Sequence, residues 1–198
     1  MFELILYSFF FFVDYSGCLV TDQNDTVFYG TNNFVEYRPG NTNLIISVPH
    51  DGFLRPEQLP NRTHGCRNKP RSEGGLCQYP WTPDCPSSGP SSNEWFCKAV
   101  TYNDDFTQEI GRGFIKEFEN LTGKRPYIIL DNLHRSKMDP NRPIDRAAQG
   151  NPEAELAYNE FHDYILEARA AMKGPGLLID FHGMTHAHEK IEIGYLFR

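Results

Sequence analysis

The sequence predicts an α/β domain with a mostly parallel or mixed sheet and crossover helices. Three apolar runs, at 43–50, 126–133 and 177–182, have the length of buried strands. Two longer segments between them, 104–122 and 151–172, repeat apolar residues at helical spacing. Strand, helix, strand, helix, strand is the order of parallel strands joined by helices.

The first 13 residues are unusual. Positions 4–13 are nearly all apolar, with four consecutive phenylalanines from Phe9 to Phe12. Ten residues cannot span a bilayer as a helix, but they suit the core of a secretory signal peptide ending near Ser16, Gly17 and Cys18. No Lys or Arg precedes the run, and Glu3 is acidic. The expectation is a signal peptide over 1–18 and a single domain over 19–198, with no membrane span in the mature chain.

Residues 19–42 are polar, with Val27, Phe28 and Tyr29 as a short strand. The 43–50 strand ends at Pro49, because proline cannot continue a central ladder, and Gly52 allows the turn after it. Residues 54–98 form a long insertion with most of the prolines and with Cys66, Cys77, Cys85 and Cys97. Four cysteines without a CxxC pair read as two disulfides and not as a zinc site, and three pairings are open. The insertion reads either as a cover over the site or as a surface elaboration.

The first helix carries Phe106, Ile110, Phe114, Ile115, Phe118 and Leu121 on its apolar positions, with Asp104 or Asp105 as N-cap and Gly123 as its stop. Residues 134–142 are too polar and Pro-broken for helix. Asn151 and Pro152 start the second helix, with Leu156, Phe161, Ile165 and Ala168 on one face. A last strand is expected at 191–197. The chain stops on it without a closing element, as a C-terminally truncated sheet would.

The bulk chemistry narrows the partners. With 198 residues, 39% hydrophobic and 23% charged, the chain suits one folded domain. A net charge of −7 argues against nucleic acid, and the basic run at 67–71 reads as a solvated loop. Sequons at Asn24, Asn61 and Asn120 and the clustered cysteines point to a secreted, glycosylated protein.

His50 and His182 each follow an apolar strand, where open α/β sheets place ligands. Asp180 lies two residues before His182 and so shares its face. Two histidines and one carboxylate with an open position make a catalytic zinc site, which activates water and polarises a carbonyl. Asp104 is the candidate third ligand, with Asp105 and Asp51 as rivals. Arg135 and Arg142 frame the 134–142 loop with Asn141, a set suited to a carboxylate substrate. They could equally pair with Asp139 and Asp145 as a surface network, together with Lys137.

Val-Pro-His50-Asp-Gly, Asp104-Asp-Phe-Thr-Gln-Glu, Arg135-Ser-Lys-Met-Asp139-Pro-Asn141-Arg142 and Asp180-Phe-His182-Gly resemble, in order, motifs of the N-formylglutamate amidohydrolase family. The resemblance covers about residues 43–197. It implies a zinc-carboxypeptidase-like (phosphorylase/hydrolase-like) sheet, with Zn2+ held by His50, His182 and Asp104. It implies that Arg135 polarises the scissile carbonyl, and that Asn141 and Arg142 hold the substrate carboxylate. The general base of related hydrolases is a late Glu, for which this chain offers Glu192 or Glu189. His186 and His188 read as rim groups.

The implied activity is zinc-dependent hydrolysis of a C–N amide bond in a small, carboxylate-bearing N-acyl amino acid or peptide. The alternative is a secreted non-catalytic binding or matrix protein that keeps the fold, or an inactive fragment. A disulfide-stapled structural module would leave the ordered motifs unexplained.

Overall fold

The structure, a computed structural model, describes residues 26–63 and 99–183. The expected signal peptide, Cys18, the four insertion cysteines, Asn24 and the 191–197 strand lie outside the described residues.

Five strands form one mixed sheet: β1 (Phe28–Tyr29), β2 (Val35–Arg38), β3 (Leu44–Val48), β4 (Tyr127–Asp131) and β5 (Leu177–Asp180), in the order β1-β2-β4-β3-β5. β3 runs parallel to both β4 and β5. β2 runs antiparallel to β1 and β4. The helices are α1 (Thr107–Thr122), α2 (Ile144–Ala147) and α3 (Pro152–Ala171).

Alternation along the strands builds a core on each face of the sheet. Ile46, Val48, Ile128 and Leu130 pack with Ile115 of α1. Ile45, Tyr127 and Ile129 pack with Ala154, Ala157, Phe161 and Ala168 of α3. Both faces are covered, which is why β3 and β4 read as apolar runs.

Several expectations change. β2 was not foreseen, because only Val35 and Tyr37 enter the α3-side core. Its other face is polar: Glu36 accepts from Arg112 of α1 at 2.6 and 2.8 Å and from Arg38 at 2.6 Å. The four-residue α2, entered from Pro143, was also unforeseen. α1 begins at Thr107, and neither Asp104 nor Asp105 caps it. Phe106 stands at φ 69°, and the Asp51 carboxylate caps from outside the helix, accepting from the Gln108 N–H at 2.9 Å.

The buried stripe of α1 is narrower than its periodicity suggests. Thr107, Gly111 and Ile115 are buried, whereas Ile110 and Leu121 are exposed. A Cβ on Gly111 would sit 3.0 Å from Val48 Cγ2, so glycine lets the helix approach the sheet. On α3, Asn151 caps through the Ala154 N–H at 3.0 Å, with Pro152 opening the helix as expected. Leu156 is exposed, and Ala154, Ala157, Phe161 and Ala168 form the buried face. Gly123 ends α1 at φ 67°, its N–H on Glu119 O at 2.8 Å.

Candidate metal centre

Two adjacent parallel strands deliver the histidines. β3 stops at Val48, and His50 follows Pro49. On β5, Phe181 still donates to Ser47 O at 2.9 Å, so His182 emerges beside His50. Asp104 is brought in by the backbone, its N–H donating to His50 O at 2.9 Å. Two small residues permit this packing. A Cβ on Gly52 would collide with the Asn132 and Leu133 backbone, and one on Gly183 would press on Asp104 Cβ at 3.0 Å.

His50 Nδ1 and His182 Nδ1 stand 3.2 and 3.0 Å from Asp104 Oδ2, and 3.2 Å from each other. His50 and Asp104 are buried, while the His182 side chain is 37% exposed. This His–Asp–His group could hold a metal ion.

The far nitrogen of each ring decides the chemistry. His50 Nε2 lies 2.8 Å from Asp139 Oδ1, and His182 Nε2 lies 2.7 Å from Asp180 Oδ2. An ionised carboxylate only accepts, so His50 Nε2 carries its ring proton and donates; His182 Nε2 faces Asp180 in the same way, with the Asn141 amide nitrogen also at 2.8 Å. Each Nδ1 of a neutral ring then presents a lone pair to Asp104 Oδ2. Three acceptors within 3.2 Å of one another call for a positive charge among them.

The spacing suits such an ion. Ligands at about 2.1 Å from a tetrahedral zinc stand roughly 3.4 Å apart. The three donor pairs lie at 3.0 to 3.2 Å, close to that value. Without an ion, a proton takes its place. The hydrogen bonds to Asp104 and then Asp180 outweigh burial and push His182 up to about 9. Burial alone would raise the Asp104 carboxyl. Hydrogen bonds from His182 and His50, with the Arg135 charge, hold it well below the usual range instead.

The surrounding groups lock the donors. Ser47 Oγ donates to Asp180 Oδ1 at 2.5 Å, and Asn141 Nδ2 donates to Asp180 Oδ2 at 2.7 Å. Arg135 reaches Asp104 Oδ1 through one terminal nitrogen at 3.2 Å and Asp139 Oδ2 through Nε at 3.1 Å. Asp139 is fully buried, yet hydrogen bonding and charge from His50, Arg62 and Arg135 overcome that burial and keep it ionised.

Arg62 was invisible in the sequence except as the middle of a sequon. It is buried and donates to the carbonyls of Arg146 at 3.0 Å, Val100 at 3.1 Å and Arg135 at 2.7 Å. Its Nη1 also stands 3.6 Å from Asp139. Ala99 N donates to Thr63 O at 3.2 Å, so the segments flanking 64–98 meet at this point.

The structure therefore brings His50, Asp104, His182, Arg135 and Asn141 together. Of the two rival ligands, Asp51 serves as the α1 cap, and Asp105 is exposed and outside the donor group. Arg142 is half-buried; its backbone N–H donates to Asp139 O at 3.1 Å, and among the described residues its side chain makes one hydrogen bond, to Asn141 O at 2.9 Å. Of the alternative network, the Arg135–Asp139 pair forms, but buried and not on the surface; among the described residues the Arg142 side chain pairs with neither Asp139 nor Asp145, and Lys137 donates to Leu59 O at 2.6 Å. Asn61 and Asn120 are exposed, Asn120 within the last turn of α1. Glu192, Glu189, His186 and His188 lie outside the described residues. No family model, curated protein or solved structure matches this chain.

Proposed function

We propose that this protein is a secreted, zinc-dependent hydrolase of a C–N amide bond, acting on a small carboxylate-bearing N-acyl amino acid or peptide. The reading keeps the resemblance to N-formylglutamate amidohydrolases and a zinc-carboxypeptidase-like arrangement of the sheet. One observation carries it. Both imidazoles are turned by a carboxylate so that their lone pairs converge with Asp104 Oδ2 at the ends of parallel strands.

His50, His182 and Asp104 would hold the ion. When bound, zinc supplies Lewis acidity and lowers the pKa of water. Asp139 and Asp180 keep the ring protons on Nε2, so the histidines stay ligands and not acids. Arg135 has two of its nitrogens engaged, and its remaining terminal nitrogen is the group left for a carbonyl oxygen. Arg142 has one of its five side-chain N–H donors engaged, and the others would hold a substrate carboxylate. Asn141 is committed to Asp180 and positions rather than binds. Glu192 is the carboxylate offered for the proton of water.

The test is release of free amine from N-formyl-L-glutamate and N-acetyl amino acids by zinc-loaded protein. Hydrolysis that favours substrates with a free carboxylate, and loses that preference in Arg142→Ala, supports the reading. Inert protein carrying one zinc would sink it.

A second reading rests on the same geometry. Arg135 and Asn141 spend hydrogen bonds on the ligands' carboxylates, as in a metal-holding binding protein that does no chemistry. Inert zinc-loaded protein is its expected result.

A further inference from the structure

A cavity of about 390 Å³ lies beside the metal centre, lined by Phe53, Arg55, Tyr102, Asn103, Asp105 and His134. None of these belongs to the donor group. The volume falls in the range of small-molecule sites. Asn103 fixes the floor, donating to Gly52 O at 2.7 Å and accepting from Arg135 N at 3.1 Å. Phe53 and Tyr102, both lining it, are 74% and 60% exposed, apolar surface that a ligand's apolar group would cover.

Its charges are unspent. Arg55 makes one hydrogen bond among the described residues, to His134, and no ion pair. The Asp105 carboxylate makes neither. One cation and one anion thus line the same cavity without pairing.

His134 holds the cation in place. Its Nδ1 lies 2.8 Å from Ser136 Oγ, a hydroxyl able to accept the ring proton, and 3.1 Å from Ser136 N. Its Nε2 accepts from an Arg55 terminal nitrogen at 2.6 Å, since a guanidinium only donates. Burial, then the charges of Arg55 and Lys137, hold the ring below its usual pKa, so it stays neutral. His134 thus takes one Arg55 N–H, and the other donors of the guanidinium are left for an anionic oxygen.

We propose that this cavity binds a zwitterionic amino acid. Its carboxylate lies on Arg55, its ammonium on Asp105, and its apolar or aromatic side chain against Phe53 and Tyr102. A simple anion would meet the Asp105 charge unopposed, and a simple cation that of Arg55. The inference does not rest on the proposed hydrolysis, although the amine product of that reaction would be a ligand of this class.

Calorimetric titration of the full chain tests it, with L-phenylalanine, phenethylamine and N-acetyl-L-phenylalanine as probes. L-Phenylalanine is expected to bind saturably and more tightly than either analogue. Arg55→Gln and Asp105→Asn should each weaken it roughly tenfold or more, as loss of one charge-assisted contact does. His182→Ala should leave it unchanged, which separates this site from the metal. Absence of saturable binding to folded native protein would overturn the proposal. So would equal affinity for the three probes, unchanged affinity in both charge variants, or loss of binding in His182→Ala.

Discussion

His50 Nε2 and Asp139 Oδ1 meet at 2.8 Å, with both side chains buried. The pair turns His50 so that Nδ1 faces Asp104 and His182. Asp139 keeps its negative charge in the interior because Arg135 and Arg62 flank it. Asp139→Asn preserves the shape and removes the charge. It should weaken metal affinity about 10- to 100-fold, the usual cost of losing such a support. Competition against a chromophoric chelator reads this directly, and unchanged affinity would remove Asp139 from the site.

Metal affinity should also depend on pH through His182. In the ion-free protein its pKa is about 9, above an unfolded value of about 6.5. That proton stabilises the fold fully below about 6.5, and the contribution is lost as pH rises through about 9. An ion must displace the same proton. Apparent affinity should therefore rise about tenfold per pH unit between about 6.5 and 9. Zinc titrations across that window check the slope, and a flat profile would contradict it.

Asp51 should matter to stability as the cap of α1. Asp51→Ala removes the acceptor for Gln108 N and should cost about 1–2 kcal/mol. Asp105→Ala, at one of the caps read from the sequence, should change stability little. Urea melts of the two variants decide between these positions, and the reverse order would restore the local cap.

Asp131 is fully buried at the end of β4. Its Oδ1 accepts from Leu133 N at 2.9 Å, and its Oδ2 has no partner. Burial raises its carboxyl well above the usual range. The unfolded chain therefore ionises first, and the fold loses stability as pH rises above about 4. Asp131→Asn removes this titration. The melting temperature of the variant relative to native protein should climb between about pH 4 and 7, and a constant difference would show that Asp131 ionises without cost.

The parts of the fold buried on both faces were legible in the sequence. β3 and β4 are apolar runs interrupted only by Ser47 and closed by Asp131, and Asn151–Pro152 is a strong helix start; the β5 run also read as a buried strand, but among the described residues it is the sheet edge, with Leu177 and Leu178 exposed. β2 was missed because one of its faces is Glu36 and Arg38, whose partner Arg112 lies 76 positions from Glu36 along the chain. The α1 cap was missed for the same kind of reason: Asp51 acts 57 positions from Gln108, where no local rule looks. In the metal centre, the histidines were marked by the strand ends. Asp104 already stood first among the carboxylates; its rivals fall away because Asp51 is used by the α1 cap and Asp105 stays exposed outside the donor group. Arg62 left no local signal, since its partners are main-chain carbonyls of three separate segments.

The most direct test of the central claim is the metal content of purified protein, by elemental analysis, for the native chain and for His50→Ala/His182→Ala. The account predicts one zinc per native chain and none in the double variant. Metal-free protein under zinc-replete conditions, or full zinc retention in the variant, would contradict it.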